Sequence, residues 1–316
     1  SAFAPVIIYS PGILDYLASN EAVKKRQKQS NRLRIIVETD AGGDPDDEQS
    51  LVRFFVYSNE FDIEGIIANR PVAREGENIN PVRDGLGIVI DMIGAYAECY
   101  HSLKSNDGGY PDPELLMSRA VAGYDDTDDG VNLIIRAVDS SDPRPLWFCN
   151  WGTDRGSAVS CMKRALDRVL KERGREGYAK FKDRLRLSTY DKFEDHTSLI
   201  NPPFRIWIDT FRPPIDNRRW YHRFSAITSK AGGFDIEKHV RTGHGPLGAR
   251  YPVNTSPLQK EGDTMSFLYL LPYGLSDPEH PSWGSWGGRY GINEEHQGKN
   301  YYWANQTDDW NGSVNR

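Results

Sequence analysis

The sequence predicts an α/β fold with a mostly parallel sheet and helices on both of its faces. Short apolar, β-branched runs without polar alternation recur between residues 33 and 209, which is typical of strands covered on both sides. Segments with helical spacing of apolar residues separate these runs, and such a β-α-β order favours parallel strands. The 316 residues are enough for one large domain with a substantial core.

The predicted elements follow in chain order from the first apolar run. "LRIIVET" (33–39) predicts a strand, and "DDEQSLVRFFVYSN" (46–59) predicts a helix, because its apolar residues share one face and acids open its first turn. The next predicted elements are strand 61–69, helix 85–100, helix 128–141 with Asp128 or Asp129 as its N-cap, strand 144–152, helix 156–173 and strands 185–190 and 204–209. Together they predict a Rossmann-like domain.

The chain is predicted to divide into an N-terminal extension, residues 1–32, and one α/β domain, residues 33–316. The extension ends in a basic, solvated stretch. Beyond about residue 210 the domain becomes rich in Gly, Pro and aromatic residues, although "DTMSFLYLL" (263–271) keeps a clear apolar run.

Composition narrows the possible partners. The net charge of -6 argues against a nucleic-acid-binding protein, which usually shows a basic face. No run approaches the roughly 18 apolar residues of a membrane span, so a membrane partner is not expected. The spacing of Cys99, Cys149 and Cys161 matches neither a zinc site nor a disulfide framework. The compartment stays open, with a secreted or periplasmic location as one option.

An unusually acidic loop follows the first predicted strand. Six carboxylates fall within eleven positions: Glu38, Asp40, Asp44, Asp46, Asp47 and Glu48. At this density the charges repel one another unless a cation shares the site or the groups spread into water. In open α/β sheets ligands lie beyond the carboxyl ends of the strands, where this loop belongs. The sequence therefore indicates a candidate site here.

The acidic loop has two readings. Gly42 and Gly43 permit a tight turn that would bring Asp40 towards Asp46 and Asp47, and converging hard oxygen ligands suit calcium (Ca2+) better than zinc. Alternatively, Asp46 and Asp47 complement a helix dipole while Asp44 caps the helix. Asp40 favours the first reading, because a carboxylate at the end of a strand has no capping task.

The stretch "VETDAGGDPDDEQSL" resembles the amino-terminal signature of the nucleoside hydrolases. It is more similar to the nucleoside-hydrolase-like domain of bacterial cellulose-binding proteins, and "DPRPLWFCNWG", "GPLGARYP" and "EGDTMSFLYLLPYGLSDPEHPSWGSWGGRY" agree with that subgroup. The resemblance covers most of residues 33–290. It implies a nucleoside-hydrolase-like fold, a proposed affinity for cellulose and a following β-sandwich that is expected to be absent from this chain.

The resemblance also implies roles for individual residues. Calcium would be held by Asp40, by Asp47 or Asp46, by Asp263 and by a main-chain carbonyl near Asn150 or Trp151. Asp40 would also act as general base towards a water bound to the metal, and that water would attack an anomeric carbon through an oxocarbenium-like transition state. These roles define a glycosidic-bond hydrolase.

Two departures from the family pattern affect the predicted chemistry. Glu38 stands where the first Asp of the motif is common, and Gly262 stands where purine-active enzymes place the His that protonates the leaving base. The candidates for a replacement acid are Glu261, Glu194, Asp195 and His196, and for each of them the alternative is a solvated loop residue. Such an acid would need a raised pKa.

Three further residues are candidates for substrate binding. Trp283 and Trp286 lie among Gly and Pro residues, where flat indoles suit sugar faces or a base, although a local Trp–Pro core is the alternative. Asn69, at the end of the second strand, could donate to a ligand hydroxyl or form a turn. Glu194 and His196 share the loop of Asp195 and are also candidates for substrate binding.

The predicted function is a calcium-dependent hydrolase of a glycosidic bond, acting on a small glycoside or an oligosaccharide. One alternative is a non-catalytic, calcium-stabilised carbohydrate-binding (cellulose-binding) module, which would need no proton donor. A second alternative is a true nucleoside N-ribohydrolase, which Gly262 and the aromatic-rich segment disfavour. Assembly as a homo-oligomer is left open.

Overall fold

The computed structural model describes residues 32–152, 160–189, 215–216, 235–252, 261–271, 276–280, 283, 285–286, 290–292 and 303–305. Within these residues one sheet has the strand order β3-β2-β1-β4-β5-β6-β8-β7. The strands are β1 Leu33–Thr39, β2 Phe61–Ala68, β3 Ala120–Ala122, β4 Leu146–Asn150, β5 Leu185–Thr189, β6 Ile215–Asp216, β7 Tyr290–Ile292 and β8 Trp303–Asn305. Every neighbouring pair is parallel except β7 and β8, which confirms the predicted mostly parallel sheet.

Helices connect the strands in the predicted order. They are α1 Asp46–Val56, α2 Gly85–Asn106, α3 Pro113–Arg119, α4 Asp129–Asp139, α5 Cys161–Asp183, α6 Gly245–Ala249 and α7 Thr264–Leu268, with a 3₁₀ turn at Ser58–Glu60 and a π-helix at Glu237–Arg241. No helix among the described residues is long and apolar enough to cross a membrane.

The observed helices differ from their predicted bounds, most clearly at the start of α5. α5 begins at Cys161 rather than near residue 156, because the Ser160 hydroxyl oxygen caps it by accepting from the Met162 N–H at 3.1 Å. It continues to Asp183 across a non-helical Gly174 with φ of 65°. Asp128, one of the two predicted caps, is the N-cap of α4 but makes no capping hydrogen bond with its side chain. The predicted strand 204–209 lies outside the described residues.

The core has a layer on each face of the sheet. Ile35 and Val37 of β1 pack in the cluster that contains apolar residues of α1 and α2, whereas Ile36 packs in the cluster that contains residues of α4 and α5. Successive side chains of a strand point to opposite faces, so a strand that is apolar on both faces needs helices on both. The prediction of helices on both faces is confirmed.

The strand order defines where a ligand site belongs. From β1 the chain moves outward through β2 and β3, and it then returns to place β4 on the other side of β1. The connections therefore diverge between the carboxyl ends of β1 and β4, which is the topological switch point of an open α/β sheet. Asp40 follows β1 and Trp151 follows β4, so both flank this crevice.

Candidate functional site

Asp40 and Asp47 meet directly at the end of β1. The Asp40 backbone N–H donates to Oδ1 of Asp47 at 3.1 Å, and the Thr39 hydroxyl donates to the same oxygen. The intervening turn is closed by the Gly43 N–H, which donates to the Asp40 carbonyl at 2.9 Å. Gly42 has a φ of 97°, a conformation that favours glycine. The acidic loop thus folds back on the strand that precedes it.

Further carboxylates surround this contact. One carboxylate oxygen from each of Asp44, Asp46 and Asp47 lies within 4.8 Å of the others, and Asp46 and Asp47 are buried. Asp44 precedes the N-cap position of α1, which Pro45 occupies without a side-chain capping hydrogen bond. Asp46 and Asp47 lie in the first turn of this helix, where negative charge is favourable.

Asp263 brings a distant part of the chain to the same place. It is buried immediately before α7, and its charge raises the pKa of Asp47. Burial is the largest cause of that upward shift, Asp263, Asp40 and Asp46 add to it, and the Thr39 hydrogen bond opposes it. The pKa of Asp47 lies well above its ordinary value for these reasons.

Trp151 holds the α7 segment in place through its side chain. Its indole N–H donates to the Ser266 hydroxyl oxygen at 2.6 Å, and that hydroxyl donates to the Asp263 carbonyl at 2.8 Å. The Trp151 backbone N–H donates to the Glu38 carbonyl at 2.9 Å, which continues the pairing of β4 with β1. The buried indole therefore links the switch point to the segment that carries Asp263.

Arg70 contacts Asp40, a pairing that the sequence analysis did not anticipate. Its Nη2 donates to Oδ2 of Asp40 at 3.0 Å, and its Nε donates to the Asp40 carbonyl at 3.2 Å. Burial raises the pKa of Asp40, while the Arg70 hydrogen bond and charge work in the opposite direction. One signal in the sequence could have indicated this pairing: Arg70 is a cationic residue two positions after the last residue of β2, at the carboxyl edge of the sheet where Asp40 also lies.

Gly152 supplies the other wall around Asp40. It has a φ of 130°, and a Cβ at this position would lie 2.7 Å from Oδ1 of Asp40, so a larger residue would collide with the carboxylate. Asn69 fixes this backbone, because its Nδ2 donates to the Gly152 carbonyl at 2.9 Å. The Asn150 Oδ1 accepts from the Gly152 N–H at 2.8 Å. The side-chain amide of Asn69 therefore holds the backbone of Gly152 in place. Its buried Oδ1 accepts no hydrogen bond from the described residues.

Glu38 lies behind the acidic loop and faces α5. Its Oε1 accepts from the Cys161 N–H at 2.8 Å, and its Oε2 accepts from the Ser160 hydroxyl at 2.7 Å. Burial raises the pKa of Glu38, and these two hydrogen bonds oppose the shift. The glutamate at this motif position therefore places a carboxylate at the N-terminus of a long helix, where negative charge is favourable.

Of the four candidate acids, the described residues include only Glu261. Glu261 is buried, and it accepts from Arg53 Nη2 at 2.9 Å and from the Tyr251 hydroxyl at 2.7 Å. These contacts give Glu261 a structural task, because they attach the segment before α7 to α1. Glu194, Asp195 and His196 lie outside the described residues.

The two tryptophans of the C-terminal portion are on the surface. Trp283 is 56% exposed and Trp286 is 51% exposed, so neither indole forms a local core and that alternative is wrong. Trp283 stacks on His280 with ring centroids 4.2 Å apart and an interplanar angle of 14°. An exposed ring held by a stacked neighbour is available for contact with a flat ligand face.

Residues 34–290 match the family described as "Cellulose-binding Sde182, nucleoside hydrolase-like domain". The chain belongs to this family. A solved structure that resembles the chain is a nucleoside hydrolase-related hypothetical protein from Saccharophagus degradans that is associated with carbohydrate metabolism. The two are 27% identical with a TM-score of 0.64, and the similarity covers 87% of this chain and 67% of that one. No curated protein matches the chain.

The donor set of this nucleoside hydrolase-like domain fits a hard divalent cation. Among the described residues, the carboxylates within 4.8 Å of one another are those of Asp44, Asp46 and Asp47. Asp40 and Asp263 lie outside this set of three, although Asp40 donates its N–H to Asp47 and the charge of Asp263 acts on Asp47. Calcium takes about six to eight oxygen ligands, whereas zinc prefers nitrogen and sulfur. The cluster contains oxygen donors and neither His nor Cys.

Proposed function

We propose that this nucleoside hydrolase-like domain is a calcium-dependent hydrolase that cleaves a glycosidic bond in a sugar-containing ligand. The observation that carries the proposal is the group of carboxylates around Asp47 at the switch point of the sheet: buried Asp263 from a distant segment repels buried Asp47, and Asp40, which is 13% exposed, donates its N–H to Asp47. Buried like charges are costly, and active sites are where such costs are commonly retained. A carbohydrate ligand is supported by the family, which is described as cellulose-binding, and by the similar structure, which is associated with carbohydrate metabolism.

The cation would be held by Asp47, Asp263 and Asp40, with Asp46 and Asp44 beside them. When bound, calcium supplies positive charge that offsets the carboxylate repulsion and lowers the pKa of a neighbouring water.

Asp40 is the proposed general base. It would accept one proton from the attacking water, whose oxygen forms a bond to the anomeric carbon while the glycosidic bond breaks and the leaving group takes up a proton. Arg70 and Gly152 fix the carboxylate from two sides, so Asp40 loses little conformational freedom when the substrate binds. Asp195, Glu194 and His196 remain the proposed donors or binding groups on the leaving-group side.

A cellulose-binding module without catalysis is the second candidate. The ion pair between Arg70 and Asp40 favours it, because a guanidinium that donates to a carboxylate makes that carboxylate a weaker base. Gly262 favours it too, since a binding module needs no proton donor before Asp263. In this case the acidic centre would bind calcium and stabilise the fold, and Trp283 and Trp286 would contact the sugar chain.

One experiment separates the two candidates. Wild type, Asp40→Asn and the surface control Asp139→Asn are assayed with calcium and with chelator on aryl glycosides, cello-oligosaccharides and nucleosides, and sugar binding is measured by calorimetry. An enzyme predicts calcium-dependent turnover that falls at least a hundredfold in Asp40→Asn while sugar binding persists. Sugar binding without turnover in wild type identifies the binding module. Turnover confined to nucleosides identifies the N-ribohydrolase.

A further inference from the structure

A groove of about 290 Å³ opens beside the acidic loop. Pro45, which lies between Asp44 and Asp46, and Glu48, which follows Asp47, both line it. One wall is residues 77–82 of the loop between β2 and α2, and the opposite wall is residues 249–252 with Arg241. The groove is therefore continuous in sequence with the acidic cluster, although none of Asp40, Asp47 or Asp263 lines it.

The first wall is held in place by buried hydrogen bonds. Glu48, itself 2% exposed, accepts from the side-chain amides of Asn78 and Asn80. Arg83 donates to the backbone carbonyls of Asn78 and Asn80 at 3.0 and 3.1 Å, and to the Ala73 carbonyl at 3.0 Å. A wall fixed in this way is preorganised, so a ligand that contacts it bears little cost for ordering the loop.

The lining combines apolar surface with a few polar groups. Ile79, which is 66% exposed, lies on the wall next to Pro81 and Val82. Across the groove, Arg250 pairs with Asp91 at 2.8 Å and both remain partly exposed. The Nε of Arg241 is buried and donates to no described residue, so it calls for an acceptor oxygen.

The charges of the groove indicate a neutral ligand. Three carboxylates, Glu48, Glu77 and Asp91, face two guanidiniums, Arg241 and Arg250, so the formal charges nearly cancel. A sugar unit matches this surface, because its hydroxyls both donate and accept hydrogen bonds while its C–H faces pack on apolar side chains. The volume is close to the lower end of the roughly 300–1,000 Å³ of small-ligand sites, which suits a short saccharide segment.

We propose that this groove is a subsite for a further sugar unit, and that the natural ligand is a neutral oligosaccharide whose chain runs from the acidic cluster across Pro45. The proposal rests on the proposed function, because it takes the acidic cluster as the main sugar site. It names the ligand class more narrowly, as a chain of several units rather than a monosaccharide glycoside.

The test compares chain lengths in the full chain saturated with calcium. Affinities for cellobiose and cellotetraose are measured by calorimetry for wild type, Ala249→Trp and Val72→Trp. Ala249 is an exposed residue of the groove, so a Trp there fills the groove without entering the core. Val72 is 66% exposed on the loop between β2 and α2 but does not line the groove, so its Trp variant controls for an added indole.

We expect wild type and Val72→Trp to bind cellotetraose at least tenfold more tightly than cellobiose, and Ala249→Trp to lose most of that ratio. Ile79→Ala removes apolar surface from the groove without filling it, so it should lower the same affinity ratio, whereas Val72→Ala should leave the ratio unchanged. An equal ratio in wild type and Ala249→Trp, or the same loss in Val72→Trp, would overturn the subsite. If cellobiose binds wild type with no gain for the longer chain, the subsite fails. If neither sugar binds, the oligosaccharide ligand fails as well, and calcium-dependent turnover of aryl glycosides decides the proposed function separately.

Discussion

Replacing Asp47 by Asn should stabilise the protein when calcium is absent and should remove most of the stabilisation that calcium gives. The wild-type carboxylate has oxygens of Asp44 and Asp46 within 4.8 Å, and the nearby charges of Asp263 and Asp40 also raise its pKa. Asparagine removes the charge but keeps an oxygen that can accept from the Thr39 hydroxyl and the Asp40 N–H. The substitution therefore removes repulsion and preserves the local hydrogen bonds.

The size of the effect follows from the spacing. Two unit charges 4.8 Å apart repel by roughly 3.5 kcal/mol at the effective dielectric constant of about 20 that suits protein sites. Relaxation of partly exposed Asp44 reduces this, so we expect a gain of about 1–3 kcal/mol in chelator. For a domain of this size each kcal/mol raises Tm by about 2–4 °C. Calcium at a hundredfold excess over Kd should stabilise wild type by about 2.7 kcal/mol and the variant by much less.

The gain from Asp47→Asn should also depend on pH. Because the folded-state pKa of Asp47 is raised, the wild-type carboxyl binds a proton in the folded state at pH values where the unfolded chain is still ionised. The cost of its charge is complete above the folded pKa and disappears as pH falls towards the ordinary value near 4. The Tm difference between variant and wild type in chelator should therefore shrink as pH falls from above the folded-state pKa of Asp47 towards its ordinary value.

The assay is thermal unfolding of wild type, Asp47→Asn and Asp139→Asn in chelator and in calcium. Asp139 is a partly exposed acid of α4 that pairs with Arg173 at 2.7 Å, so its variant should show no gain in chelator and an unchanged calcium response. A variant Asp47→Asn that melts at or below the wild-type temperature in chelator, with an intact calcium shift, would refute the reasoning.

Three further predictions test the rest of the site. Asp40→Asn should reduce turnover at least a hundredfold and weaken calcium binding modestly, because one ligand oxygen remains while basicity is lost; equal turnover would rule out the base role. Gly152→Ala should lower both Tm and calcium affinity, because the added Cβ would collide with Asp40. The control Gly174→Ala is also at positive φ but has open space around it, so it should lower Tm through backbone strain and leave calcium affinity unchanged. An unaffected calcium affinity in Gly152→Ala would contradict this prediction. Replacing either Trp283 or Trp286 by Ala should weaken sugar binding by about 1 kcal/mol or more with little change in Tm. Calorimetry measures the binding and melting curves measure the stability. A large loss of Tm with unchanged sugar affinity would instead indicate that the indole is part of the core.

The sheet and its central helices could be read from the sequence because burial leaves local patterns. β1 is apolar on both faces, and α1 carries apolar residues at helical spacing behind acids in its first turn, so both segments were predicted close to their observed bounds. The short helix α3 was not predicted, although Asp112 as N-cap and Pro113 at the first helical position were available signals. β3 has three residues, which is too short for any periodicity to show.

The site was less predictable because its contacts join distant segments. Asp40 could be singled out locally, since a carboxylate at the end of a strand needs another reason to be there. The pairing with Arg70 depends on how the loop after β2 folds back, and the contact of Glu38 with α5 joins residues more than 120 positions apart. Periodicity and capping rules describe neighbours along the chain, so neither contact leaves a local pattern.

Four acids of the β1–α1 region, three of them buried and Asp40 13% exposed, have pKa values raised by desolvation, and they differ in what opposes the shift. Glu38 accepts hydrogen bonds from the N-terminus of α5, and Glu48 accepts hydrogen bonds from two asparagine side chains. Asp40 has the guanidinium of Arg70. In each of these cases groups of the protein itself stabilise the ionised carboxylate.

Asp47 is the exception among the four. The charges of Asp263, Asp40 and Asp46 add to the effect of burial, and the Thr39 hydrogen bond is a small opposing contribution. A buried carboxylate repelled by three others is retained only where an external charge or a shared proton offsets the repulsion. The proposed divalent cation would supply that charge. Asp47 rather than Asp40 is therefore the residue whose substitution should most clearly separate the stability of the fold from its affinity for calcium.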